Sequence, residues 1–375
     1  MIIWWIIGSI SLILLLLNSA LSKPSRHGNF AWVISQFVFF FLSFLLAMRG
    51  DFGVDWKSYI DFYSNIPSFP SLISEGGWMD FNIEPGYQIY MSLLKFFNLN
   101  HNFLPVFLFM ISFVMVMQGC KIWRVSPLAM TAIITLLIYP HYYGQIRMAF
   151  VYTLGILVGL AILNQNRKVV LLTTILAASV QYIGLAYFFT LILPNFNVTS
   201  HPLRPLWFTG NFSIKKRTFI VATFLFLFFS AYHFSELFLS SLIQILPLYE
   251  NPITEKLIIY HSMSERIDRS FVGIFIIASL ASTIIFLINR EPPANKIILT
   301  AAATSLLAAV TIFLLTESFP ILAQRIYSMI LIPSFAILLS FVSLRSKNNI
   351  LYIVICSYAG YLFLNVTLAI GPYNF

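Results

Sequence analysis

The sequence predicts an all-α protein, a polytopic transmembrane helical bundle with about ten clear spans plus a broken helical hairpin. Three observations predict it. Of the 375 residues, 59% are hydrophobic and only 9% are charged, against about a quarter charged in a soluble domain. Apolar runs of near-spanning length recur from end to end, and roughly 20 such residues cross a hydrocarbon core about 30 Å thick. The basic residues gather in short clusters between those runs, as in cytoplasmic loops. Alternating strands of about ten residues, which a membrane barrel needs, are not the pattern of blocks such as Phe219 to Phe229.

Taken in order, the spans are expected at 2–21, 30–48, 102–119, 127–140, 148–163, 218–234, 271–289, 297–315, 326–343 and 350–370. Backbone inside lipid must satisfy its own hydrogen bonds, which favours helices in each. The first run begins Met1-Ile2-Ile3-Trp4-Trp5, with no basic stretch ahead of it, and reads as a retained span and not as a removed signal. Residues 85–97 form a modest apolar stretch expected at the interface. Residues 169–194 are long for one crossing and short for two, with Gln181-Tyr182-Ile183-Gly184 near their middle.

Charge sets the orientation. The loops near 22–29, 120–126, 164–168, 197–217, 289–296 and 344–349 hold 14 of the 22 basic residues and, in Glu291, one of the 13 acidic ones. They are expected inside. Lys168 and Lys215 then lie on the same side, so 169–194 goes out and comes back as a hairpin broken near Gln181. Both termini are expected outside. The whole chain, 1–375, reads as one integral membrane domain with two long outer loops, 49–101 and 235–270.

The net charge of +9 follows this loop pattern and is no nucleic-acid signature. Cys120 and Cys356 lie in or beside apolar runs and suggest neither a disulfide framework nor a zinc site. No phosphate-binding glycine loop and no dinucleotide fingerprint is present, and no histidine pair has metal-ligand spacing. No cofactor is expected.

Some residues stand where local rules disfavour them. Arg147 opens the span 148–163 on the outer side, against the positive-inside bias. It also sits at a helix N-terminus, where the macrodipole disfavours a cation. Arg325 repeats the exception before 326–343. Such breaks fall at functional sites, and the task that suits them is binding phosphate, since a guanidinium stays charged and binds phosphate oxygens bidentately. The bland alternative is an arginine snorkelling to a headgroup or pairing with Glu317. The first outer loop starts Arg49-Gly50-Asp51-Phe52-Gly53-Val54-Asp55-Trp56-Lys57-Ser58-Tyr59, dense in charge, glycine and aromatics directly after a greasy span. An interfacial belt explains Trp56 or Tyr63 alone; the whole cluster points to a site. Glu84, ahead of Pro85-Gly86-Tyr87, reads as a helix-start charge or a base. His141 and His233 are the histidines at the outer edge.

These pieces together resemble the EpsG-type family of polysaccharide polymerases, related to the Wzy O-antigen polymerases. The resemblance rests on Arg49-Gly50-x-x-Gly53-x-Asp55-x-x-x-Tyr59 with Glu84-Pro85-Gly86-Tyr87, on Ile146-Arg147-Met148-Ala149, and on Arg325-Ile326 before a late span. It departs at Trp56, where the family usually has tyrosine, and at Gln181, where it often has histidine. That second departure argues that the position is a substrate contact, or that another residue carries the proton.

The resemblance implies glycosyl transfer at the outer face of a bacterial inner membrane. A glycan on undecaprenyl diphosphate would be moved onto the next lipid-linked repeat unit. Arg147 and Arg325 would stabilise the lipid diphosphate, with Arg49, Gly53, Tyr59 and Gln181 as further substrate contacts. Asp55 or Glu84 would serve as base. The implied partners are the undecaprenyl-diphosphate-linked oligosaccharide, the bilayer, a chain-length regulator and a flippase, and no nucleic acid. A flippase or transporter for lipid-linked oligosaccharide is the leading alternative. Transporters tend to show internal repeats and mid-membrane charges, whereas these charges gather at the outer rim. A membrane acyltransferase would want a histidine-centred site, for which His141 is the one tempting residue.

Overall fold

The computed structural model describes residues 2–20, 28–48, 55–74, 83–164, 166–187 and 320–345, with Ala302 and Leu306. All regular structure among the described residues is helical. The spans expected at 218–234, 271–289 and 350–370, most of 297–315, and the second outer loop lie outside the described residues.

The long helices are α1 (Ile2–Ala20), α2 (Gly28–Ala47), α6 (Leu104–Trp123), α8 (Ile146–Leu163) and α10 (Pro320–Arg345). Between them stand α3 (Trp56–Asn65), α4 (Phe69–Ser74), α5 (Pro85–Phe96), α7 (Pro127–Ile133) and α9 (Arg167–Val180). Among the described residues, three segments are long and apolar enough to cross a membrane: Asn29–Ala47, His101–Trp123 and Ile146–Leu163. The spans expected at 2–21 and 326–343 fall on α1 and α10.

Local chemistry starts the helices where they start. The Asn100 side chain accepts from Asn102 N–H just before α6, Ser126 accepts from Ala129 N–H at α7, and Asn166 accepts from Val169 N–H at α9. Each satisfies one of the orphan donors of a helix N-terminus. Proline follows the boundary in α5, α6 and α7, where its missing N–H costs nothing. Arg124 ends α6 in the left-handed conformation, at φ 55°.

Packing ranks the helices. Of the α8 span 83% is buried, against 33% of the α2 span. The central helix is therefore α8, surrounded by α6, α9 and α10, and α2 lies at the rim. On α2 the exposed large apolar side chains are Phe30, Val33, Phe37, Phe40 and Phe44. Their spacing of three and four residues makes one lipid-suited stripe.

The expected plain span at 127–140 is less regular than its composition suggests. After α7 the helix widens to a π-helix over Ile134–Ile138 and then tightens to a 3-10 helix over Tyr139–Tyr143. Pro140 removes a donor there. Tyrosine hydroxyls tie this stretch to its neighbours. Tyr139 donates to the Leu42 carbonyl at 2.7 Å, and Tyr142 pairs with Ser112 at 2.8 Å and Thr153 at 3.0 Å.

The described residues of the loop expected at 49–101 fold into a cap of helices. Lys95, at the end of α5, donates to the carbonyls of Ser64 and Ile66 at 3.0 and 2.7 Å, closing the C-terminus of α3 as a cation should. Ser92 bonds the Pro67 carbonyl, and Tyr63 and Tyr90 reach the carbonyls of Leu99 and Leu104. The stretch expected at the interface, 85–97, is α5, which buries Tyr87, Met91 and Leu94 in the core.

The broken hairpin begins as expected. Helix α9 stops at Val180, Gln181 is extended (φ −152°, ψ 118°), and a 3-10 turn follows over Tyr182–Tyr187. The return arm lies outside the described residues.

Candidate active site

The site forms at the end of the bundle where α8 and α10 begin, under the cap made by α3 and α5. Arg147 is the second residue of α8. Its guanidinium donates to Glu84 Oε2 in an ion pair whose side chains are 20% and 3% exposed. The other Glu84 oxygen accepts the backbone N–H of Tyr182 at 3.3 Å. Rings flank the same guanidinium: Tyr87 at 5.5 Å and Tyr59 at 6.0 Å from its Cζ. Cation–π contacts of this kind contribute about 0.5–2 kcal/mol.

This arrangement resolves the exception noted in the sequence. The Glu84 anion sits beside the N-terminus of α8 and offsets both the macrodipole and the burial of the cation. Glu317 lies outside the described residues; the partner the structure gives Arg147 is Glu84. The reading of Glu84 as a plain helix-start charge is corrected in part. It stands at the N-cap of α5, but its side chain makes no cap bond and is spent on Arg147 and Tyr182.

Gly86 explains how α5 comes so close to the hairpin corner. A Cβ there would meet Ser179 Oγ at 2.5 Å and the Ser179 carbonyl oxygen at 2.7 Å. Gly184 is as tightly placed, against the backbone of Ala177 and Ala178. Within Glu84-Pro85-Gly86-Tyr87, then, the glutamate pairs, the proline starts the helix, the glycine docks, and the tyrosine covers Arg147.

Asp55 occupies the N-cap of α3, without a side-chain cap bond. Burial pushes its carboxyl above the usual aspartate range, while the positive charges of Arg325 and Arg147 pull it down. The charges of both arginines therefore act on it. Arg325, the sixth residue of α10, also acts on His141 and Tyr152. The His141 ring packs edge-on to Tyr152, with centroids 5.2 Å apart. Gln181 precedes the residue that Glu84 holds, and its side-chain oxygen is buried with no hydrogen-bond partner among the described residues.

Of the residues singled out from sequence, Asp55, Tyr59, Glu84, Arg147, Gln181 and Arg325 converge here. Arg49 and Gly53, and His233, lie outside the described residues. Sequence reasoning missed Tyr87 as the face over Arg147, the Tyr182 N–H, and Tyr152. Tyr87 stood inside a quoted motif; a backbone N–H leaves no signal in residue identity. No group of three or more potential metal ligands occurs among the described residues.

Chemically, such an arrangement offers two cations and one raised carboxyl at a largely buried cluster, beside aromatic and amide contacts. The fold and site together define a helical membrane protein with an arginine–carboxylate centre at one end of its bundle. The sequence matches the EpsG family over residues 32–375, nearly its full length, and the chain belongs to that family. The family is one of polysaccharide polymerases, and a general polymerase role goes with membership. No curated protein and no solved structure matches the chain.

Proposed function

We propose that this chain joins oligosaccharide repeat units carried on polyprenyl diphosphate, at the outer face of a bacterial inner membrane. What supports the reading is the buried pair of Arg147 and Glu84 flanked by Tyr59 and Tyr87, beside Asp55, on which the charges of Arg147 and Arg325 both act. A lipid diphosphate is a leaving group that needs cations already in place, and preorganised charge in a water-poor site is the largest contribution of this kind.

In the step proposed, an acceptor sugar hydroxyl attacks the anomeric carbon of the donor. The new C–O bond forms as the bond from that carbon to the phosphate oxygen breaks. The electron pair leaves with the polyprenyl diphosphate, whose charge Arg147 and Arg325 hold. The hydroxyl proton passes to the Asp55 carboxylate. A carboxyl raised by burial is the better proton acceptor near neutral pH. Glu84 is already committed to Arg147 and Tyr182, which favours Asp55 as the base. Tyr59 shields Arg147, and Gln181 offers its amide to a sugar hydroxyl. Arg49 and Gly53 are assigned to substrate binding on the family resemblance alone.

The test is deletion of the gene followed by gel analysis of surface polysaccharide, beside an in vitro assay with lipid-linked repeats. A lost polymerase leaves single repeat units on the lipid anchor. Complete loss of surface material would point to a flippase instead and overturn the reading.

A further inference from the structure

We propose that Gly155, Gly159 and Pro333 are positioning residues, a backbone-to-backbone spacer between α8 and α10 that fixes the gap between Arg147 and Arg325. The proposal rests on the diphosphate reading above.

The two helices run in the same direction. Tyr152 and Ser328 are hydrogen-bond partners, and further along both chains Gly155 and Gly159 meet Pro333. Arg147 precedes Gly155 by eight residues and Gly159 by twelve, and Arg325 precedes Pro333 by eight. At about 1.5 Å of rise per residue, the arginines lie roughly 12–18 Å along their helices from the contact, within about one helical turn of each other in depth. The separation of the two guanidinium groups therefore depends in part on how closely the helices approach.

That approach is as close as backbone allows. A Cβ at Gly159 would meet Pro333 O at 2.5 Å, Cα at 3.0 Å and C at 3.1 Å. These are main-chain atoms, so no rotamer change relieves the clash. At Gly155 a Cβ would meet the Pro333 ring at 3.5 Å and run into the Tyr187 hydroxyl. Tyr187 donates to the Val151 carbonyl at 3.0 Å, which seats the end of the hairpin on the same face of α8. Small residues let helix backbones come together in membranes, and here they do so on the two helices that carry the arginines. Pro333 lies inside α10, with a fixed φ and no N–H to donate, and its ring lies against Gly155.

The site end of these helices carries independent signs of a ligand. Asp55 lies under both arginine charges, and the buried Gln181 side-chain oxygen waits without a partner among the described residues. Two arginines held at a fixed gap can engage two linked phosphates at once, which a single phosphate cannot exploit. Misplacing a catalytic contact by about 1 Å costs on the order of 100-fold, so a spacer of this kind controls the outcome although it touches no substrate.

The experiment uses full-length protein in lipid nanodiscs. Its probes are a polyprenyl diphosphate and the matching monophosphate, with affinity measured for each. Wild type is expected to prefer the diphosphate at least tenfold. Gly159→Ala should lose most of that preference while holding monophosphate affinity within about twofold and remaining folded by thermal melt. Gly119→Ala is the control. Its Cβ would meet the flexible Leu157 Cδ1 at 2.7 Å, in the contact between α6 and α8, and it should leave the preference intact. If Gly159→Ala fails to insert, Gly155→Val decides: its side chain meets the Tyr187 hydroxyl and the Pro333 ring and no backbone, a milder wedge between the same two helices, and the same loss of preference is expected. A folded Gly159 or Gly155 variant with wild-type preference, or one weakened equally for both ligands, overturns the spacer. Absence of any preference in wild type overturns the diphosphate reading itself, and the spacer with it.

Discussion

The Glu84 carboxylate holds the guanidinium of Arg147 with one oxygen and the backbone N–H of Tyr182 with the other, joining residues 63 and 98 positions away in the chain. One buried side chain thereby ties the cap, the central helix and the hairpin corner. Removing either partner leaves the other uncompensated in a site that water barely reaches.

Arg147→Ala should therefore destabilise the fold as well as stop polymerisation. Stranding a buried carboxylate costs roughly 3–5 kcal/mol. Pairing Arg147→Met with Glu84→Gln removes both charges and keeps an amide oxygen for the Tyr182 N–H. That double variant should recover most of the thermal stability and none of the chain extension. Melting in detergent and polymer length on gels measure the two effects separately. An Arg147→Ala protein as stable as wild type would contradict the pairing.

Arg325→Lys should retain membrane insertion and lose roughly tenfold or more in polymerisation, since an ammonium cannot reproduce the planar fork of a guanidinium. The same change at Arg147 should cost more, because the lysine must also replace the stacking against Tyr59 and Tyr87. Initial rates with lipid-linked repeats check both, and equal rates for lysine and arginine would remove the bidentate role.

Asp55→Asn should keep donor binding and lose transfer, because the amide keeps the shape and cannot take a proton. The pH dependence has a definite sign. The base works when deprotonated, and burial raises its pKa. Activity should fall as pH drops through a value above the ordinary aspartate pKa of about 3.9. Arg325 pulls that pKa down, so the residual rate of Arg325→Gln should show its acid limb displaced to higher pH. A displacement to lower pH would contradict the contact between these charges.

Gly86→Ala should lower stability by about 1–3 kcal/mol, the usual cost of overpacking. Ser179→Gly should restore part of it. The change removes the hydroxyl and Cβ in the way but leaves the Ser179 carbonyl at 2.7 Å. Full restoration would mean that the corner had shifted as a whole.

Topology is open to a direct test. A reporter fused at Lys168 should read as cytoplasmic and one at Asn65 as external, on the charge partition of the loops. An external signal at Lys168 would invert α8 and place the arginine site on the wrong face for the proposed reaction.

The sequence by itself determined the helical class, the positions of α1, α2, α6, α8 and α10, and the break at Gln181. Those are local properties. A run of about 20 apolar residues must satisfy its own backbone in lipid, whatever its neighbours do. It also marked Arg147 and Arg325, because a cation at the expected outer start of a span breaks rules that can be read in one dimension; Arg147 does open α8, whereas Arg325 lies beyond the first turn of α10, which starts at Pro320 and not at 326 as expected. What it left open was who meets whom. Glu84 read as a helix-start charge or a base until packing set it against Arg147. The irregular helix after α7 and the contact of Gly159 with Pro333, 174 residues apart, depend on neighbours that no window of sequence contains. Only the tertiary structure decided them, since pairing a buried charge and bringing two backbones into contact both depend on which helices lie side by side.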